Sequence, residues 1–366
     1  MRKIRAAIVG VGNCASSLVQ GIEHYRALGK GHPDGTLGLM HEKIGPYGAG
    51  DVDIVAAFDI DKRKVGRPLS EAIFAQPNCT KTIWQNPAND IPIRMGHILD
   101  GVSAHMSDYP DTRRFQPSAK KPVNVASALK KSGAEVLVNF LPVGSEQAVK
   151  FYVGEAIKAN VGVVNCMPVF IASDPAWAGR MEEAGLPIIG DDIKSQIGAT
   201  IIHRTLTKLF EDRGAKLDRT YQLNVGGNTD FLNMLNASRL KSKKISKTSS
   251  VQSQLRTPLE AERIHIGPSD YVPWLCDNKV CFVRMEGRIF GNIPINLELR
   301  LSVEDSPNSA GVVIDAVRCI KIALDRKLKG ALVAPSAYFM KHPPRQFPDS
   351  EARQMVEDFV AGKIGQ

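Results

Sequence analysis

Lysines gather in the short stretch Lys243-Lys-Ile-Ser-Lys247, which follows an asparagine-rich turn, Asn224-Val-Gly-Gly-Asn-Thr-Asp230. A lysine run of this kind is most often a solvated surface. In a chain that also carries the glycine loop Gly10-Val-Gly-Asn-Cys-Ala15, however, grouped ammonium groups favour an anionic substrate whose oxygens gain negative charge during a reaction. Crowded lysines also lower one another's pKa, so one of them can act as a neutral base near pH 7. The stretch therefore predicts either exposed surface or a site for an anionic, carbonyl-forming substrate.

The loop in question lies near the N-terminus, where the apolar run 4–9 leads directly into Gly10-Val-Gly-Asn-Cys-Ala15 and then into a helical pattern. Gly10 permits a tight turn, Gly12 lets the backbone approach a pyrophosphate, and Ala15 keeps the helix close to the strand. The helix N-terminus then faces the phosphates. The pattern predicts a dinucleotide site that includes Gly10, Gly12, Asn13 and Cys14.

A second apolar run, 52–58, ends at Asp59. A carboxylate there accepts hydrogen bonds from the adenosine ribose and favours NAD over NADP, because a 2′-phosphate would meet a like charge. Asp59 lies well beyond the usual distance of about 20 residues from the loop. The glycine-rich stretch 29–50 accounts for the excess. NAD is the predicted cofactor, and an ordinary strand-turn-helix is the alternative.

The composition is that of an enzyme with two domains, since 366 residues exceed one usual core. The net charge of +9 and pI near 9.2 do not accompany any nucleic-acid-binding motif, so no nucleic-acid partner is expected. No apolar run approaches the roughly 20 residues that span a bilayer, and the basic N-terminus lacks the apolar length of a signal peptide. The six cysteines contain no CxxC pair, which predicts a reducing, cytoplasmic location.

The order of the patterns predicts an α/β chain: a Rossmann-type doubly wound parallel sheet, with a second α+β domain that carries an open sheet. A helix is expected over 62–74 and an irregular insertion that covers the cofactor over 76–122. The predicted domains are 1–200 for NAD binding, 201–308 for catalysis and oligomerisation, and 309–366 as C-terminal helices that return to the first domain. Further elements are expected at helices 123–131, 145–159, 309–324 and 350–360, with an amphipathic helix ending near 212, and at strands 135–141, 161–165, 221–225, 263–266, 280–286 and 295–303.

Several motifs occur in one order along the whole chain: Gly10-Val-Gly-Asn-Cys, Leu141-Pro-Val-Gly-Ser-Glu, Asn165-Cys-Met-Pro, Gly190-Asp-Asp-Ile-Lys-Ser, Asn224-Val-Gly-Gly-Asn-Thr-Asp, Ser242-Lys-Lys-Ile-Ser-Lys, Glu304-Asp-Ser-Pro-Asn-Ser and Val312-Val-Ile-Asp315. In this order they resemble the myo-inositol-1-phosphate synthase (inositol-3-phosphate synthase) family, in its short actinobacterial and archaeal type. The resemblance implies NAD-dependent conversion of D-glucose 6-phosphate to 1L-myo-inositol 1-phosphate, by internal oxidation, enolisation, aldol closure and reduction. It also implies a homotetramer paired through the second domain, and it leaves room for a divalent or monovalent cation whose ligands the sequence does not name.

The resemblance assigns residues position by position. The implied catalytic residues are Lys243, Lys247, Lys341, Asp192, Asp230, Asp315 and Arg288. The implied substrate-binding residues are Ser195, Asn224, Asn228, Lys243, Lys247 and Lys341. The cofactor-binding residues, from the loop and the resemblance together, are Gly10, Gly12, Asn13, Cys14, Asp59, Leu141, Pro142, Asp192 and Asp315.

Two departures from the family pattern stand out. Arg288 occupies a position where many relatives have lysine, and it can bind a phosphate or hydroxyl oxygen but cannot shuttle protons, because its pKa stays above about 12. Thr229 stands where an asparagine is common. The substitutions bear on substrate contacts rather than on the cofactor loop.

The implied chemistry suggests roles for the lysines. Lys243, helped by Asp192, is expected to transfer the proton at the C5 hydroxyl, while Lys341 and Lys247 stabilise the C5 and C1 oxygens. Asp315 is expected to orient the nicotinamide amide or a lysine. The alternative enzyme is a two-domain NAD-dependent dehydrogenase of the homoserine dehydrogenase or dihydrodipicolinate reductase kind, and a non-enzymatic NAD sensor is a third possibility. Turnover without net NADH separates the three.

Overall fold

The computed structural model describes residues 3–29 and 31–365. Its strands are β1 (Ile4–Val9), β2 (Lys43–Ile44), β3 (Tyr47–Gly48), β4 (Val52–Asp59), β5 (Arg94–Met95), β6 (Val136–Asn139), β7 (Gly162–Asn165), β8 (Pro187–Ile189), β9 (Lys216–Gly226), β10 (Ile264–Tyr271), β11 (Asn278–Arg288), β12 (Pro294–Glu304) and β13 (Gly330–Ala331). Its helices are α1 (Asn13–Leu28), α2 (Leu69–Ala72), α3 (Val125–Ser132), α4 (Glu146–Ala159), α5 (Pro175–Glu183), α6 (Ala199–Asp212), α7 (Thr229–Met234), α8 (Lys241–Gln252), α9 (Asp305–Asp325), α10 (Val333–Phe339) and α11 (Asp349–Val360).

The first sheet has seven strands in the order β13-β8-β7-β6-β1-β4-β5, and every pairing in it is parallel. Helices cover both faces. On one side α1, α9, α10 and α11 pack together, and on the other side α3 packs on α4. The strand order reverses between β1 and β6, so the crevice for a ligand opens above the carboxyl ends of these two strands. The predicted doubly wound fold is confirmed.

Strand β1 shows why the sequence forms a buried parallel strand. Ile4, Ala6 and Ile8 pack into the core under α1 and α9, whereas Ala7 and Val9 pack into the core under α3 and α4. Side chains alternate between the two faces of a strand, so a strand covered on both faces is apolar at nearly every position. The near-continuous apolar run predicted this placement.

The second sheet has four strands in the order β10-β9-β11-β12 and is mixed, since β9 pairs parallel with β10 and antiparallel with β11. Helices α6 and α8 cover one face, over a core that includes Phe210, Val283 and Met285. The side chains of β12 are exposed or half-exposed along its whole length. The open sheet expected for the second domain is therefore present. No helix in the described part of the chain is long and apolar enough to span a membrane.

One predicted helix is largely wrong. Over 62–74 the structure has turns and only the single-turn helix α2. Gly66 adopts a left-handed φ of 92°, and Pro68 disfavours helical geometry at the residue before it. Asp61 accepts backbone hydrogen bonds from Arg63 and Gln116, which ties the turn to the insertion instead.

Candidate active site

An acidic loop follows β8 at the carboxyl edge of the large sheet. Asp191 is fully buried and accepts hydrogen bonds from the Asn165 amide at 2.6 Å and from the backbone of Ile171 and Ser173. Its neighbour Asp192 adopts a left-handed φ of 63°, which is uncommon for residues other than glycine. Asp191 thus organises the loop from inside, while Asp192 points toward the second domain.

Asp192 is the meeting point of two lysines from distant parts of the chain. The ammonium groups of Lys243 and Lys341 lie 3.2 Å and 3.1 Å from its Oδ1 atom, and the Ser246 hydroxyl donates to Oδ2 at 2.6 Å. Lys341 also donates to the Ile193 carbonyl at 2.6 Å. Backbone hydrogen bonds from Lys341 N–H to Asp192 O and from Asp192 N–H to Met167 O hold the loop in this conformation.

Helix α8 carries the lysine cluster and explains which lysines enter the site. Lys243 and Lys247 are four residues apart and therefore share one helix face. Lys247 is 8 % exposed, whereas Lys241 and Lys244 lie on the outer face and are exposed. The solvated-surface interpretation thus holds for part of the run and not for Lys243 and Lys247.

A second ion pair, Lys279 with Asp305, closes the opposite wall of the same cavity. Lys279 lies near the start of β11, and Asp305 is the first residue of α9. Both residues were missed in the sequence. Asp305 lies inside a quoted motif but received no role, and Lys279 directly precedes a run of strand residues, where an isolated charge gives little signal.

The cavity is lined by four lysines and three aspartates among the described residues: Lys243, Lys247, Lys279, Lys341, Asp192, Asp230 and Asp305. The predicted residues Ser195, Asn224 and Cys14 also line it. Asn224 donates to the Gly267 carbonyl at 2.7 Å and accepts from Gln222, so its amide is held by the second sheet. The structure thus brings most of the predicted substrate residues together.

The pairing of Asp192 with the lysines favours the charged form of both partners. Burial alone would raise the pKa of Asp192, but Lys243 and Lys341 hold the pKa of that carboxyl well below its usual range. Burial would lower the pKa of Lys243, but attraction to Asp192 and Asp230 raises it above its ordinary value. Lys243 therefore stays protonated.

Lys247 behaves in the opposite way. Burial, together with repulsion from Lys243, Lys279 and Lys341, lowers the pKa of Lys247 to about 7. Its ammonium forms no ion pair with the residues that the structure describes. A lysine with this pKa is readily neutral near pH 7, whereas Lys243, which was expected to be the base, is held in its charged form.

The glycine loop adjoins the cavity. Gly10 has a φ of 86°, and a Cβ there would lie 2.6 Å from the Phe140 carbonyl oxygen. A Cβ at Gly12, by contrast, would meet no heavy atom within 4 Å. Open space before the N-terminus of α1 fits a pyrophosphate, and Asp59 accepts from Val11 N–H at 2.7 Å at the end of β4. The residues present therefore fit a dinucleotide.

A buried aspartate connects the loop to the second domain. Asp277 accepts hydrogen bonds from the Asn13 and Asn228 amides at 3.2 Å and 2.9 Å, and from the Ser306 hydroxyl. Burial raises its pKa to about 6. Asn228 also caps α7, and it lies beside the cavity rather than in its lining. Asp277, like Lys279 two positions later, was missed in the sequence.

Leu141 and Pro142 follow β6 at the strand-order reversal, next to the glycine loop. Leu141 N–H donates to the Asn139 side chain, which is itself bonded to Asn165. The loop after β6 contacts α7 through a hydrogen bond from Val143 N–H to Asp230. Both predicted cofactor residues therefore lie at the expected crevice.

Two predicted catalytic residues lie elsewhere. Asp315 lies on α9, where it pairs with the buried Arg318 and accepts from Met40 N–H at 2.7 Å. Arg288 binds Asp218 at 2.7 Å at the far end of β11. It is seven residues beyond Cys281, the partner of Asn224 in the ladder, and so about 23 Å away along the strand. Neither side chain lines the cavity, and each is paired with another residue, so the catalytic roles expected for Asp315 and Arg288 stay predictions.

No metal site is apparent. Among the described residues, no group of three or more His, Cys, Asp and Glu side chains is arranged to hold a metal ion. Two of the three cavity aspartates, Asp192 and Asp305, are instead paired with lysines.

The model of the myo-inositol-1-phosphate synthase family matches residues 198–306. The inositol-3-phosphate synthase of Mycolicibacterium smegmatis is 57% identical over 364 residues, which cover 98% of this chain and 98% of that protein. The inositol-3-phosphate synthase of Mycobacterium tuberculosis is 55% identical and covers 98% of this chain and 96% of that protein. A crystal structure of a myo-inositol-1-phosphate synthase-related protein from Thermotoga maritima superposes with a TM-score of 0.79 at 26% identity, with 98% of each chain covered. The resemblance seen in the motifs is confirmed, and the chain belongs to the inositol-3-phosphate synthase family.

Proposed function

We propose that the protein converts D-glucose 6-phosphate to 1L-myo-inositol 1-phosphate with NAD as a catalytic cofactor. The observation that carries the proposal is the cavity in which four lysines and three aspartates meet beside a dinucleotide loop. A simple dehydrogenase needs one proton-transfer group beside its cofactor. A synthase has to manage charge on several oxygens of one substrate, which the lysine-rich cavity supports.

Bound NAD would supply the oxidation of C5 and its later reduction, so that no net change in cofactor remains. The loop after β1 would hold its pyrophosphate, and Asp59 would accept from its ribose. The carboxylate supports a preference for NAD, since a 2′-phosphate would face a like charge.

The proton at the C5 hydroxyl is assigned to Lys247. A lysine with a pKa of about 7 is about half neutral at pH 7 and can accept a proton, whereas Lys243 is held in its charged form by Asp192. Lys243 and Lys341 would then stabilise negative charge on the C5 oxygen and the enolate. Lys279, paired with Asp305, would act on the substrate phosphate or the C1 oxygen.

Asn224 on β9 and Ser195 in the loop before α6 would orient the sugar. Asn224 and Ser195 line the cavity between the lysines and the carboxyl edge of the first sheet. Their short polar side chains suit the hydroxyls of a sugar, and Asn224 is held in a central strand of the second sheet.

The activity is tested with purified protein, glucose 6-phosphate and a catalytic amount of NAD. The expected result is inositol phosphate in large excess over the NAD added, with no steady rise in absorbance from NADH. Formation of one NADH for each product molecule would instead support the dehydrogenase alternative.

The assembly expected from the resemblance, a homotetramer, has support in the second sheet. The turn between β11 and β12 exposes Phe290 and Ile293 by 97 % and 57 %. Apolar side chains grouped in this way mark interaction surfaces. Sedimentation should give a tetramer for the wild type and smaller species for Phe290→Asp with Ile293→Asp. An unchanged mass in that double variant would place the interface elsewhere.

The cytoplasmic location likewise remains a proposal. All six cysteines are free thiols in the structure, which supports a reducing compartment.

A further inference from the structure

The lysines of the cavity come from elements that are far apart in sequence, so contacts between those elements must fix their relative position. Lys243 and Lys247 lie on α8, and Lys341 lies between α10 and α11. A displacement of about 1 Å at a reacting group can lower a rate by about 100-fold. The relative position of α8 and the segment 341–349 is therefore decisive for the proposed reaction.

Arg204 on α6 touches both elements without entering the cavity. It is fully buried, and its Nη1 atom donates to the Ser250 carbonyl of α8 at 2.8 Å. Its Nε atom donates to Asp349 at 3.1 Å, and its Nη2 atom donates to the Phe347 carbonyl at 2.8 Å. One guanidinium thus joins the end of α8 to the segment that carries Lys341.

A direct relay reaches Lys341 from the same guanidinium. Arg204 Nη1 donates to the Gln346 side-chain oxygen at 2.9 Å, and the Gln346 amide donates to the Lys341 carbonyl at 2.8 Å. The planar guanidinium has donors in fixed directions, which lysine cannot reproduce. The relay fixes the backbone from which the Lys341 side chain extends toward Asp192.

We infer that Arg204 is a positioning residue which, through Gln346, holds Lys341 in register with Lys243 and Lys247. The inference rests on the proposed function, because it assigns the three lysines to one reaction. It concerns a residue that contacts neither the cavity nor the cofactor loop.

A variant with an uncharged side chain at position 204 is expected to fold, because no buried carboxylate loses its last cationic partner. Lys194 donates to the same carboxylate, Asp349, at 2.8 Å, so two buried cations share one anion. Arg204→Met leaves the pair of Lys194 with Asp349 in place. Gln346→Met is a milder change that cuts the relay and leaves every charge intact.

The decisive readout is the pH profile of kcat/KM. Lys247 is surrounded by Lys243 on its own helix, Lys279 on β11, Lys341 on the C-terminal segment and Asp192 after β8. If Lys341 moves away, the repulsion on Lys247 weakens and its pKa rises. The acid limb should then move to higher pH by at least about 0.5 in both variants, with kcat lowered about tenfold or more.

The matched control is Arg326→Met. Arg326 donates to the carbonyls of Phe359 and Val360 and so anchors the opposite end of α11. This variant should lose stability without a shift in the pH profile. If Arg204→Met and Gln346→Met lower only the melting temperature, with kcat and the profile unchanged, the positioning role is refuted.

Hydrogen exchange separates this inference from the proposed function, since it needs no turnover. Faster exchange of the Lys341 and His342 amides in Arg204→Met and Gln346→Met, but not in Arg326→Met, is expected because these amides bond to Asp192 and Asp191. Unchanged exchange would overturn the inference even if the wild type is an active synthase. If the wild type has no synthase activity but the two variants still exchange faster, the anchoring role of Arg204 stands and the proposed reaction is refuted.

Discussion

Replacement of Lys247 by methionine should strongly lower turnover and at the same time stabilise the fold. The side chain is almost fully buried among three other lysines, which lower its pKa from 10.5 to about 7. Below pH 7 this lysine is charged in both the folded and the unfolded chain, and burial of that charge costs about 5 kcal/mol. Methionine has a similar length and no charge, so it removes this cost.

The sign of the pH dependence follows from the lowered pKa. Between pH 7 and 10.5 the unfolded wild-type chain binds more protons at Lys247 than the folded chain does, so wild-type stability rises with pH in this window. The advantage of Lys247→Met should therefore be largest near pH 6, about 3 to 5 kcal/mol, and should shrink as the pH rises toward 10. Part of this advantage is the relief of Lys243, Lys279 and Lys341, which lose a repulsive neighbour.

Urea unfolding at pH 6, 7.5 and 9 measures the stability difference, and kcat/KM measured over the same range gives the activity. Turnover should fall by about 100-fold or more in Lys247→Met. Lys247→Arg should not restore it, because a guanidinium does not act as a base. A stability difference that does not change with pH, or near-normal turnover in the arginine variant, would refute the assignment of Lys247 as the neutral lysine.

Three further predictions concern other parts of the site. Asp59→Ala should weaken NAD binding by about 1.5 to 3 kcal/mol for each hydrogen bond to the ribose that is lost, measured by calorimetry, and equal affinity would mean that Asp59 serves only the loop. Lys279→Ala should lower kcat by about 100-fold or more, with the exposed Lys81→Ala as the control, and normal turnover would remove Lys279 from the mechanism. Asp191→Ala should lower the free energy of unfolding by about 3 kcal/mol or more, because several buried N–H groups lose their acceptor, and a loss below about 1 kcal/mol would show that the loop is held by other contacts.

The fold was largely predictable because its signals are local and repeated. Strand β1, the glycine loop and α1 form an unbroken pattern of apolar run, turn and helix, and a later apolar run ends at Asp59 in β4; the structure contains each of them. The pattern failed over 62–74, where helix-forming residues are interrupted by Gly66 and Pro68. Turn chemistry outweighed helix propensity there.

The candidate site was predictable only where its residues lie in recognisable motifs. Asp192, Lys243, Lys247 and Lys341 meet in the cavity, but their distances depend on how α8, which packs on α6 and β10, is placed against the loop after β8. Lys279 gave no signal, since one charge before a strand is commonplace.

The position of Arg288 and Asp315 could not be inferred either. Their ion-pair partners, Asp218 and Arg318, are set by strand register and helix packing, which no local pattern records.

The central claim is that oxidation at C5 is reversed within the same active site. Glucose 6-phosphate that carries deuterium at C5 tests it directly, with the product examined by mass spectrometry and NMR. We predict that inositol phosphate retains the deuterium at the carbon that was C5 and that no deuterated NADH accumulates. Loss of the deuterium from the product, with its appearance in released NADH, would contradict the account.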